Sequence, residues 1–388
     1  MKLPQRRDLT RLLVLVLYVG AVCLFPTVAV RFALPALSPF AFLSATLATG
    51  IVGVSALCAL PALALLFWRR RLFCRHLCPM GLVLDTCARA HPGKTPSYRR
   101  VAALGYWAAL LTLGGALVAC PLFLFLDPAS LLAGAANATC PPHPPARWHY
   151  IVGFASLAVM SVIFPALWCR KLCPLGGLQD AVADLTSALK QRFQPEPPRT
   201  AIVPIARRLF LGVGAGAILA TLYKRAPRIA AETALRPPGA LPEAAFNTVC
   251  QRCGSCIRVC PTAILRPSVS LDDPAGLLTP MVSLKTGSCL DTCNRCGQAC
   301  PSGAIAPLPL EEKNNAKIGV AKIDTDACLL GVGRECVSCV SRCKRNAILE
   351  DFSPKTYTAT VRVDEAACNG CGACIHVCPA YAISVVRQ

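Results

Sequence analysis

Residues 250–261 read CQRCGSCIRVCP and residues 368–379 read CNGCGACIHVCP. Both are Cys-x2-Cys-x2-Cys-x3-Cys-Pro, and nothing else in the chain restricts its fold as much. Three thiols within seven residues must curl round one centre, while the fourth reaches toward another. Soft thiolates at this spacing suit iron and sulfide. Two looser versions lie between them: Cys289, Cys293, Cys296 and Cys300 before Pro301, and Cys328, Cys336, Cys339 and Cys343 before Lys344. Gly254, Gly297, Gly370 and Gly372 let the backbone turn tightly and aim amides at the sulfurs. Structural zinc also takes four cysteines, but zinc ribbons do not repeat three short spacings and a proline. Sixteen ligands, Cys250, Cys253, Cys256, Cys260, Cys289, Cys293, Cys296, Cys300, Cys328, Cys336, Cys339, Cys343, Cys368, Cys371, Cys374 and Cys378, therefore imply four [4Fe-4S] clusters.

The regular motifs stand first and last, so the expected pairing joins first with fourth and second with third. Sequential pairing is the alternative. The segments AKIDTDAC and TVRVDEAAC have the pattern of short strands next to cluster loops. Residues 241–388 are thus expected to form an α+β, ferredoxin-like domain with four cluster motifs.

The remainder has a different character. The chain is 54% hydrophobic and 15% charged, too apolar for an ordinary soluble protein of its length. Residues 12–30, 32–68, 101–126 and 150–168 carry no charge, and each reaches or approaches the ~20 residues that span a bilayer. A fifth apolar segment, residues 209–223, follows the paired Arg207 and Arg208 and is short for a span; it fits a twin-arginine export segment or a plain anchor. The reading is a transmembrane domain of four helices over 1–195, a fifth transmembrane anchor and linker over 196–240, then the cluster domain. Residues 1–240 hold 25 Lys and Arg against 7 Asp and Glu, whereas residues 241–388 hold 15 against 13. That asymmetry is expected to fix topology through cytoplasmic basic loops, and it excludes a nucleic-acid surface. The implied location is the bacterial cytoplasmic (inner) membrane, multi-pass, with the cluster domain on the periplasmic side.

At the ends of two apolar runs the chain repeats itself: CRHLCPMGLVLD from Cys74 to Asp85 and CRKLCPLGGLQD from Cys169 to Asp180. Within each copy the cysteines are four apart, on one helical face, and the proline is expected to bend or end that turn. Isolated thiols of this kind are ordinary packing residues, but a twelve-residue repeat argues for a role. Cys74, Cys78, Cys169 and Cys173 can hold a further metal or cluster, form redox disulfides, or remain thiols. Cys23, Cys58 and Cys87 are expected to pack, and Cys120 with Cys140 can form a disulfide. No paired histidines suit b-type haem, no Cys-x-x-Cys-His suits c-type haem, and the Gly-x-Gly-x-Gly at 212–216 lacks the preceding strand of a nucleotide or flavin site.

The two Cys-x3-Cys-Pro motifs, with FLDP at 125–128, resemble the NapH family of membrane quinol dehydrogenase subunits. Residues from about 205 onward, with paired arginines and four cluster motifs, resemble the NapG/MauM ferredoxin family. Taken together the chain looks like a fusion of the two. It lacks the cytoplasmic ferredoxin tail usual after the fourth helix of NapH-type proteins. The resemblance implies a quinol dehydrogenase-type electron-transfer component. Lipid and the quinone pool would be its surroundings, and a periplasmic redox protein, such as a multihaem cytochrome or a nitrate reductase system, its partner. A maturation factor of MauM/MauN type, or a NosR-like membrane redox sensor, is the alternative.

Overall fold

The computed structural model describes residues 6–24, 38–50, 55–68, 70–93, 96–139, 148–192, 202–225, 234–270, 272–353 and 358–387. Helices dominate the first part. Helix α1 is Arg6–Leu24. Ser38 caps α2 (Pro39–Thr49) by accepting from the Ala41 amide, Pro39 opens its first turn, and Gly50 at φ 67° closes it. Helix α3 is Ser55–Trp68, and a single turn, Leu72–His76, leads to α4 (Pro79–Arg89). Helix α5 (Leu104–Leu117) stops before Ala119, which adopts φ 52°, and Pro121 follows it. Then come α6 (Pro128–Thr139), α7 (Trp148–Ile163), α8 (Pro174–Arg192) and α9 (Ile202–Arg225).

These breaks overturn the expected transmembrane architecture. The uncharged run over 32–68 is divided between α2 and α3, and the run over 150–168 leaves α7 at Pro165 and the left-handed Ala166. The 16 residues of α7 rise about 24 Å, against ~30 Å of hydrocarbon. The longer α1 and α9 carry charge within the helix: Arg6, Arg7, Asp8 and Arg11 in one, Arg207, Arg208, Lys224 and Arg225 in the other. Among the described residues no helix is long and apolar enough to cross a membrane. The four-helix transmembrane domain, the fifth anchor and the multi-pass inner-membrane location are corrected on that ground. Four of the basic residues behind the topology reading, Arg11, Arg70, Arg71 and Arg89, form internal ion pairs. Arg11 meets Asp85 at 2.8 Å, Arg89 meets Asp8 at 2.8 Å, and Arg70 meets Asp180 at 2.9 Å.

Helix α5 is the axis on which α8 and α9 pack. A Cβ on Gly114 would lie 2.0 Å from the Val213 carbonyl oxygen, and one on Gly216 would lie 2.3 Å from that of Leu111. Only glycine permits so close an approach, so Gly212 and Gly216 of the Gly-x-Gly-x-Gly form a packing seam against α5, while Gly214 between them meets nothing within 4 Å.

The second part contains strands β1 (Leu265–Pro267), β2 (Pro280–Val282), β3 (Val320–Ile323), β4 (Ile348–Ser353), β5 (Thr358–Val363) and β6 (Ile383–Val386). They form three antiparallel pairs: β1 with β2, β3 with β6, and β4 with β5. The sequence places β3 in AKID and β5 in TVRV, as the strand pattern predicts. Two units repeat one plan. An outer pair encloses an inner hairpin: β3 and β6 enclose β4–β5, while an Ala240–Ile305 bridge encloses β1–β2. The first unit contains the first and second cysteine motifs, the other the third and fourth. One hydrophobic core holds Phe40, Met80, Leu84, Leu124, Trp168 and Leu175 together with Cys78, Cys173 and Cys253 of the first motif.

Candidate iron-sulfur centres

Each strand unit folds its two motifs face to face, and the fourth cysteine of each crosses to the other. Site I joins Cys250, Cys253 and Cys256 with Cys300, whose charge acts on all three. Site II joins Cys289, Cys293 and Cys296 with Cys260 around one small cavity. Site III joins Cys328, Cys336 and Cys339 with Cys378. Site IV joins Cys368, Cys371 and Cys374 with Cys343. All sixteen expected ligands are therefore brought into four sets of four. The pairing is sequential, first with second and third with fourth, and the expected pairing of first with fourth is corrected. Its physical reason is the strand plan: β3 and β6 close one unit around the third and fourth motifs, so each of these finds its fourth ligand in the other.

The donor sets suit a cubane. Gly254, Gly370 and Gly372 adopt φ 71°, 72° and 80°, which turns the loops of sites I and IV round their centres, whereas Gly297 lies in a helical turn, where a Cβ would meet the Ala306 carbonyl oxygen at 2.2 Å. The crossing cysteines receive amides: Ile305 donates to Cys300 Sγ at 3.4 Å, Ala347 to Cys343 Sγ at 3.3 Å and Ala382 to Cys378 Sγ at 3.4 Å. Such bonds favour the thiolate and tune its potential. Burial, with the hydroxyl and amide of Ser255 opposing, pushes the Cys253 thiol up to about 12, so a metal has to displace that proton when it binds. Among the described residues no three His, Cys, Asp or Glu side chains close to the dimensions of a single ion.

The four sites follow one another. Cys256 of site I feels the charge of Cys296 in site II. Cys289 of site II lines the site IV cavity, and its amide donates to the Cys371 carbonyl at 2.9 Å. Cys374 of site IV feels the charge of Cys339 in site III. The order is I, II, IV, III, and site I abuts the helices. Asn137 on α6 donates to the Cys253 carbonyl at 2.9 Å, and buried Tyr150 on α7 donates to the Leu278 carbonyl at 3.0 Å. Arg252, left-handed and buried within the first motif, donates to the carbonyls of Asn247, Cys250, Ala275 and Leu277 and so pins the site I loop.

The Cys-x3-Cys-Pro copies also meet. Cys74, Cys78, Cys169 and Cys173 line one cavity of about 740 Å³. The turn that carries the first cysteine ends just before the proline in both copies, as expected, at Leu77 and at Cys173, and the proline then opens the next helix. Cys78 is the N-cap of α4, accepting from the Gly81 amide at 3.4 Å, and Pro79 opens the helix; Cys173 and Pro174 do the same for α8. The likeness reaches the supporting residues. Arg11 donates to Asp85 and to the Cys74 carbonyl, while Arg71 donates to Asp180 and, at 3.0 Å, to the Cys169 carbonyl. Arg71 and Ala166, each three residues before a first cysteine, are both left-handed. Burial, reinforced by the charge of Cys74, pushes the Cys78 thiol up to about 12.

Three residues of this site were not among the expected ones. Arg11 and Arg71 lie outside the repeat and gave no spacing signal. Gln179 was legible as the position where the repeat changes chemistry, since the other copy has Leu84 there. Its Nε2 donates to Cys74 Sγ at 2.8 Å. Cys140, and with it the expected pairing to Cys120, lies outside the described residues.

Residues 49–97 and 146–193, one Cys-x3-Cys-Pro copy in each, match a family described as a 4Fe-4S binding domain; residues 361–384 match another family of the same description. The chain is 34% identical over 208 residues to the methylamine utilization ferredoxin-type protein MauM of Methylophilus methylotrophus, covering 51% of this chain and 88% of that protein. It is 35% identical over 181 residues to MauM of Methylobacillus flagellatus, covering 45% and 76%. It is 35% identical over 156 residues to the ferredoxin-type protein NapG of Escherichia coli, covering 37% and 65%. No solved structure matches the chain.

Proposed function

We propose a function on one premise: this chain belongs to the family of ferredoxin-type proteins that contains MauM. It is an iron-sulfur electron-transfer protein, and its finer role is a four-cluster wire between two redox partners. A [4Fe-4S] cluster supplies a one-electron carrier. The observation that carries the reading is the linear succession of cysteine sites I, II, IV and III, with one end against the helices and the other remote from them.

The donor is a quinol, taken at the helical half. The likeness of the Cys-x3-Cys-Pro copies to NapH-type subunits supports this, as do the exposed apolar side chains of that half, among them Phe67, Trp68 and Phe210. A quinol gives up two electrons and two protons; the electrons enter the site I end singly, and the protons go to solvent. The acceptor is a second redox protein with a metal or haem centre, met at the site III end. Asn137, Tyr150 and Arg252 hold the entry loop in place, and the amides on Cys300, Cys343 and Cys378 hold ligand geometry along the route.

The test is anaerobic EPR of the purified protein before and after adding a reduced quinol analogue. Cluster signals that appear on quinol addition are expected. Signals that only dithionite elicits would remove the quinol donor and leave the four-cluster wire to be joined to another.

A further inference from the structure

In each of the two stretches matching a 4Fe-4S binding domain the repeated motif supplies two cysteines, half of a cubane's ligand set; Cys58 and Cys87 of the first stretch lie outside the repeat and have no counterpart in the second. We propose that Cys74, Cys78, Cys169 and Cys173 together hold one [4Fe-4S] cluster, shared between the repeats and additional to the four ferredoxin sites. The four thiols line a single cavity, and each of them feels the charge of at least one of the others. Ligation forms four sulfur-iron bonds and releases four thiol protons to solvent.

The walls support an anionic occupant. Five arginines face the cavity against two aspartates, and a four-thiolate cubane carries net negative charge. Two of the lining residues keep buried donors with no partner, Trp168 Nε1 and Arg11 Nε. Buried N–H groups are rarely left so, and sulfides or thiolates at the cavity's centre would accept from them. Trp168 is 7% exposed, which leaves solvent little access to satisfy it. Gln179 Nε2 donates to Cys74 Sγ at 2.8 Å, which holds the side chain toward the sulfur. The paired carboxylates Asp85 and Asp180 fix Arg11 and Arg71, each of which donates to the carbonyl of a first cysteine. Two half-sites with matching supports, facing one cavity, are the construction a shared cluster needs.

Iron and acid-labile sulfide are counted on the full chain, purified anaerobically, beside a Cys74→Ser/Cys169→Ser double variant. About twenty irons per wild-type chain and about sixteen per variant chain are expected, with the EPR signals of the ferredoxin sites unchanged. Equal iron in both proteins overturns the cluster, and so does zinc in place of the lost irons. Should the variant lose all its iron through misfolding, native mass spectrometry of the wild type decides: the mass of five clusters supports the proposal and that of four overturns it. A Cys74–Cys169 cross-linked peptide from the wild type overturns it too. Because this readout is metal content and that for the quinol donor is reducibility, the two readings fail separately.

Discussion

Gly370 shows how much of a cluster loop depends on one absent methyl. Its φ is 72°, and a Cβ there would lie 2.5 Å from the Gly319 carbonyl oxygen and 2.6 Å from the Gly319 amide nitrogen. Gly370→Ala therefore costs about 1–3 kcal/mol in backbone strain before the clash with immovable backbone is counted. The expected outcome is loss of about four irons, those of site IV, while site I stays loaded; iron analysis with EPR checks it. Such residues were legible because cluster chemistry dictates their positions: sixteen ligands and their glycines follow from spacing alone. Arg11, Arg71 and Trp168 were not legible. Their roles depend on which segments fold beside the repeated cysteines, and no local pattern in the chain carries that information.

At the scale of elements, two glycines of α9 make a controlled pair. A Cβ on Gly214 would meet nothing within 4 Å, whereas one on Gly216 would meet the backbone of Leu111 at 2.3 Å. Gly214→Ala is expected to stabilise the protein by up to ~1 kcal/mol, since alanine propagates a helix better than glycine. Gly216→Ala is expected to destabilise it by about 1–3 kcal/mol through overpacking against α5. Denaturant midpoints of the two variants, moving in opposite directions, check the pair; a shared direction would mean that α9 is not seated on α5. The same helices explain why the membrane reading failed. Uncharged runs are visible in a sequence, and so are Pro121 and Pro165 beside the two breaks, but the left-handed Ala119 and Ala166 that complete them are alanines, which no composition rule marks. Likewise an excess of arginine looks the same whether it faces a membrane surface or, as with Arg71 and Arg70, pairs with an aspartate on another helix.

At the scale of the whole molecule, sequential pairing turns four separate motifs into two units in series. Had the first motif shared ligands with the fourth, sites I and III could not stand at opposite ends; the closing of one unit by β3 and β6 is what separates them. A break in the middle should then matter more than a break at the end. Cys293→Ser removes a ligand from site II and Cys336→Ser one from site III, and Cys336 lies on the exposed flank of its unit. With electrons entering at the helical end, Cys293→Ser should leave sites III and IV unreduced on the timescale of the wild type, with only site I responding. Cys336→Ser should leave sites I, II and IV responding at wild-type rates and silence site III alone. Freeze-quench EPR after mixing with reduced donor separates the two variants. The mirror-image result, site I silenced by Cys293→Ser while III and IV respond, would place electron entry at the far end and reverse the direction of the wire.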